Sequence, residues 1–119
     1  MFETSAALVA QDTNGLVDVY QRDLSTNKTR RAASIAEPDA GSRDAFISAD
    51  GESVSFASRS STFVPDTNGL DDIFVWDLAS NNFSIVSRGP NGEEGNSASF
   101  TARLSRFGRF VVFSSNASN

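Results

Sequence analysis

The chain has 119 residues, enough for one small domain with modest burial on folding. Its formal charge of −5 and pI near 4.5 argue against a nucleic-acid backbone as main partner, and 39% hydrophobic residues argue against wholesale disorder. Cysteine and histidine are both absent, which removes disulfides, thiol nucleophiles, thiolate metal sites and any Ser-His-Asp triad.

No apolar run approaches the roughly 20 residues that span a bilayer, and Met1 to Ala6 lacks the basic-then-apolar order of a signal peptide. The chain therefore reads as soluble, with its compartment open. Phe2 to Ala7 is short and mixed and looks like the tail of another element. Val17 to Leu24 alternates apolar and polar residues as a strand does. Ser25-Thr26-Asn27-Lys28 is a turn, Thr29 to Ser34 its returning strand, and Glu37 to Gly41 a loop.

Asp44 to Ala49 forms a short strand that closes in the Asp50-Gly51 turn, and Ser53 to Ser58 alternates as its partner. Asp72 to Leu78, the turn Ala79 to Asn82 and Phe83 to Ser87 follow as strand, turn and strand. Leu104 to Ser115 then copies Ile47 to Ser58. No segment keeps a helical period, so the chain is expected to be all-β.

Two offsets organise these elements. Asp12-Thr13-Asn14-Gly15-Leu16-x-Asp18 returns 54 residues later as Asp66-Thr67-Asn68-Gly69-Leu70-x-Asp72, in register through Asp23-Leu24 and Asp77-Leu78. The Ile47-to-Ser58 unit returns 57 residues later, three having entered within the Gly- and Asn-rich Gly89 to Asn96. Repeat one covers about residues 8–62 and repeat two about 63–119, as one two-repeat unit.

Ile47-Ser48-Ala49-Asp50-Gly51, Val54-Ser55-Phe56-Ala57-Ser58 and Asp72-Ile73-Phe74-Val75-Trp76-Asp77 resemble the bacterial TolB-type, WD-like propeller repeat. The likeness departs at Arg106-Phe107-Gly108, where the turn's Asp is missing, and at Gln21-Arg22, which stand where Val75-Trp76 stand in the second copy. It implies four-stranded antiparallel blades, inner strand first, so that the chain holds half a blade, a full blade and half a blade. A periplasmic or extracellular bacterial setting is implied as well.

Two such half-blades leave raw strand edges, which recruit another chain. The expected function is a structural and binding module whose ring of blades is completed by copies of itself, with loops presented to a protein or small ligand. The resemblance favours six blades and a trimer, with dimer and tetramer as the other closures. Val17, Val19, Tyr20, Phe110, Val111, Val112 and Phe113 are the expected interface, Val19 and Val112 lending backbone donors to it. Neither nucleic acid nor membrane is an expected partner. The buried core is expected at Phe56, Phe74, Phe110 and Phe113, with Val54, Ile73, Val75, Val111 and Val112 around them.

Asp12, Asn14 and Asp18, and likewise Asp66, Asn68 and Asp72, set hard oxygen ligands about a Gly turn, as Ca²⁺ loops do. Positions 10 and 64, where a fuller pattern has an acid, are Ala and Val. The alternative is a plain structural turn in which Asp and Asn bond their own backbone. Asp23 and Asp77 read as turn caps, and Trp76, Phe74 and Phe83 as packing between blades. Asp44, Asp50, Glu52 and Asp71 are scattered carboxylates with no partner motif, so no catalysis is expected. The contrasting reading is part of a propeller hydrolase or lyase with a metal-assisted site in the central channel.

Overall fold

The computed structural model describes residues 2–32 and 38–119. All nine strands pair antiparallel, and the described residues contain no helix. Strands β1 (Phe2–Thr4), β2 (Asp18–Asp23) and β3 (Lys28–Arg31) form one sheet in that order. A second sheet runs β4 (Ser42–Ile47), β5 (Ser53–Ser58), β6 (Asp72–Asp77), β7 (Asn82–Ile85), and a third pairs β8 (Ser99–Leu104) with β9 (Val111–Ser115). The sheets are open. The expected strand end at Ser34 and loop start at Glu37 lie outside the described residues.

Turn chemistry sets the strand ends. Asp23 Oδ1 accepts from the Ser25 and Thr26 N–H groups at 2.8 and 3.2 Å, and Asp77 Oδ1 from Ala79 and Ser80 at 3.0 and 2.8 Å. The Ser25 side chain first, and the Ser80 amide first, hold these two carboxyls below the usual range. Both turns end in a left-handed Asn, Asn27 at φ 59° and Asn81 at φ 58°.

The backbone repeats with the same two offsets as the sequence. Asp44 and Thr101, 57 apart, have φ of 56° and 55°, and each sits in a break of register, between Arg43 and Phe46 or between Phe100 and Arg103. These are bulges, where an extra residue bends the inner strand and leaves the ladder. Gly108 repeats Gly51, and a Cβ there would come within 2.8 Å of Ser53 Oγ, so the turn is pressed against the middle sheet.

Apolar alternation fills the gaps between sheets. Val54 and Phe56 of β5 and Phe74 and Trp76 of β6 face the first sheet, where Val19 and Ala32 meet them. Their neighbours Ala57 and Ile73 point the other way, onto Ala102, Val111 and Phe113. The middle sheet is thus apolar on both faces, as a sheet packed between two others requires.

Three expectations need correction. Phe2 to Ala7 is more than the tail of another element, because Phe2–Thr4 pairs with β2 and makes the first sheet three-stranded. Phe110 and Val112 are not core: they are 61% and 72% exposed, while Val75, Val111 and Phe113 are only half-buried. β9 is an edge strand, and its even-numbered side chains point away from the middle sheet.

The third correction concerns which donors face the open edges. Phe110 O accepts from Ser105 N–H at 2.9 Å and Asn116 N–H donates to Ala98 O at 3.0 Å, so even residues of β9 bond towards β8. Strand alternation leaves Val111, Phe113 and Ser115 facing outwards. Likewise Val19 O accepts from Ala32 N–H at 2.9 Å, so Val19 serves β3 while Tyr20, Arg22 and Leu24 face the other edge. Val19 and Val112 therefore belong to ladders within the chain.

Candidate functional site at the two aspartate turns

Both repeated turns spend polar groups on their own backbone. Asn14 Oδ1 accepts from Leu16 N–H at 2.9 Å and Asn68 Oδ1 from Leu70 N–H at 2.7 Å. Asp66 Oδ1 accepts from Asn68 N–H at 3.1 Å. The turn reading thus accounts for the Asn side chains, and the carboxylates are where the two copies differ.

In the first copy Asp12 and Asp18 converge on a guanidinium. Arg31 Nη1 lies 3.3 Å from Asp12 Oδ1 and 3.2 Å from Asp18 Oδ2, with all three side chains at most 2% exposed. Arg31 also donates through Nη2 to Gln11 O at 3.1 Å, and the Tyr20 hydroxyl donates to Asp12 Oδ2. The pairing places Arg31 directly opposite Tyr20 across β2 and β3. Burial raises the Asp18 pKa, against the pull of Arg31.

The second copy has no such cation. Opposite Phe74, which stands at the Tyr20 position, is Ile85 in place of Arg31. Asp72 is instead satisfied by neutral donors, the Ser87 hydroxyl at 2.6 Å and Asn68 Nδ2 at 2.9 Å. Asp66 Oδ2 is buried with no hydrogen-bond partner. Burial first, then the nearby Asp72 and Glu94 charges, push the Asp66 pKa up. Glu94 is itself tied to Thr67 Oγ1 at 2.7 Å.

All six candidate ligands are therefore brought to their turns as two separate groups, and among the described residues no three acidic side chains gather as a metal-holding set. Sequence reasoning missed Arg31. Its signal was the repeat itself: the alignment puts an Arg over Ile85 and a Tyr over Phe74.

Tyr20 gives this cluster a direct readout. Burial first, then its bond to Asp12, push the phenol from 10.0 up to about 12. It is the chain's single tyrosine, so phenolate absorbance near 295 nm should rise around pH 12 rather than 10. A folded pKa above the unfolded one means this group's contribution is complete below pH 10 and is lost as pH climbs through about 12. Titration at 10 in the folded protein would mean that the hydroxyl is not held as described.

Elsewhere an open cleft of about 490 Å³ runs between Leu16, Val17, Ala40 and Gly41 on one side and Arg43 and Arg59 on the other. Asp71, nearly buried, lies 2.5 Å from Arg43 Nη2 and 3.3 Å from Arg59 Nε. Arg43 Nε also lies 4.0 Å from Asp44 Oδ2, so two guanidiniums face two carboxylates along a rim beside an apolar wall.

No protein-family model matches the chain, and no curated protein sequence matches it.

Proposed function

We propose that the chain is a non-catalytic, two-repeat propeller module of the TolB-type, WD-like kind, which joins copies of itself edge to edge into a ring. The observation that carries this reading is β9. Its outward groups at Val111, Phe113 and Ser115 meet no strand among the described residues. Beside them Phe110 and Val112 lie exposed, where the equivalent Ser53 and Ser55 of β5 are covered by the next blade. Six blades, hence three chains, are the favoured closure. The cleft lined by Arg43 and Arg59 is the place for a small ligand in that ring.

Light scattering at micromolar concentration should give the mass of three chains. Phe113→Pro, which removes an edge-facing donor, should release single chains. A stable folded monomer of the unaltered protein would sink the reading; two or four chains would sink the trimer alone.

The same reading gives any bound Ca²⁺ to the second turn, where Asp66 Oδ2 is orphaned, since Arg31 already occupies the first. Millimolar Ca²⁺ should raise Tm, and Asp66→Ala should abolish the rise while Asp12→Ala keeps it. An unchanged Tm would leave both as structural turns.

A further inference from the structure

We infer that β1 is a displaceable place-holder: Phe2–Thr4 occupies the edge of β2 that β9 of a second copy takes during assembly. The inference rests on the edge-to-edge reading above and adds a control on it. Its basis is one register seen twice and a third copy of the strand that could adopt it. Within the middle sheet Phe56 faces Phe74, Ala57 faces Ile73 and Ser58 faces Asp72. Moved back by 54 residues, these pairs become Phe2 with Tyr20, Glu3 with Val19 and Thr4 with Asp18, the pairing of β1 with β2. Moved forward by 57, the same β5 residues become Phe113, Ser114 and Ser115 of β9. The two strands are therefore rivals for one seat.

The ring contacts already shared by β5 and β6 show what the seat lacks. Phe2 stacks on Tyr20 at 5.8 Å much as Phe56 stacks on Phe74 at 5.6 Å, yet Phe2 stays 40% exposed and Phe56 is fully buried. β1 forms three pairs with β2, whereas β5 forms six with β6. In the middle sheet Leu78 N–H donates to Glu52 O at 3.0 Å and Leu78 is 7% exposed; its counterpart Leu24 is 88% exposed. A docked β9 would extend the ladder along Gln21, Arg22 and Asp23, with Arg109 in the place of Glu52 next to Leu24. A full-length strand replaces a short one on an edge that is already strand-shaped.

What holds β1 meanwhile is a clip absent from β9. The Glu3 carboxylate accepts from Ala45 N–H in the β4 bulge, joining β1 to the middle sheet. Ser114, the rival residue, is too short to reach that amide. Exchange therefore trades one specific tie for a longer ladder, and β1 makes assembly weaker and slower than the bare edge allows.

The test is a dilution series in the analytical ultracentrifuge on the full chain, on a chain lacking residues 2–5, and on full-length Glu3→Ala, each with and without Phe113→Pro. Removing residues 2–5 should lower the dissociation constant at least about tenfold. Glu3→Ala, which keeps the strand, should lower it in the same direction by less. Phe113→Pro should abolish assembly in all three. Unchanged or weaker assembly in both β1 variants, with Phe113→Pro still dissociating the ring, overturns the place-holder and leaves the edge-to-edge reading standing. Monomers throughout overturn both. Should the shortened chain fail to fold, Glu3→Ala alone decides.

Discussion

Phe56→Ala is expected to cost about 3–5 kcal/mol, a large part of the stability of a domain this size. The ring is fully buried and touches three others: Phe74 at 5.6 Å, Phe63 at 5.0 Å and Phe83 at 6.3 Å. Truncation leaves a void between the first two sheets, and the β-strands around it are pinned on both faces and cannot close in. Phe110→Ala is the control, because its ring is 61% exposed. At concentrations where the chain is dissociated it should cost no more than about 0.5 kcal/mol. Urea unfolding separates the two, and equal costs would mean that the facing of β5 is misread.

Arg31→Ile should be comparably severe. The change imports the residue found at the matching position of the second repeat, so its shape suits the fold. Its charge does not: Asp12 and Asp18 would remain at most 2% exposed with no cation. Breaking a buried ion pair from one side costs about 3–5 kcal/mol, most of it from the charge left behind. Adding Asp12→Asn and Asp18→Asn to Arg31→Ile should then recover much of the loss. Failure of that triple variant to recover would place the cost in lost packing of the Arg31 stem instead.

The strands and turns were legible because period-two alternation and Asx turns are local, and each appeared twice. β5 and β6 fell where Val54-Ser55-Phe56 and Ile73-Phe74-Val75 put them, and Asp23 and Asp77 cap as read. What escaped was set by neighbours distant in sequence. Phe2-Glu3-Thr4 carries too little pattern to mark a strand, and only pairing with Tyr20, Val19 and Asp18 makes it one. Phe110 and Val112 are as apolar as any core pair, but burial depends on a covering sheet. The bulges at Asp44 and Thr101 defeat residue preference outright, since Thr is β-branched and its φ is 55°. At the turns the ligand-like residues were visible, while the guanidinium that answers them sits 13 residues beyond Asp18 on another strand.

The unlike partners opposite β2 and β6 have a consequence for how the chain avoids tangling. Two near-copies in one polypeptide invite the wrong hairpin arm to dock during folding. If β3 settled on β6, Arg31 would leave Asp12 and Asp18 and lie against Phe74, beside their counterparts Asp66 and Asp72. If β7 settled on β2, Ile85 would cover Tyr20 and strand Asp12 and Asp18. Either swap takes Arg31 away from the buried Asp12 and Asp18, so the Arg-for-Ile difference biases the chain towards the native order of its repeats.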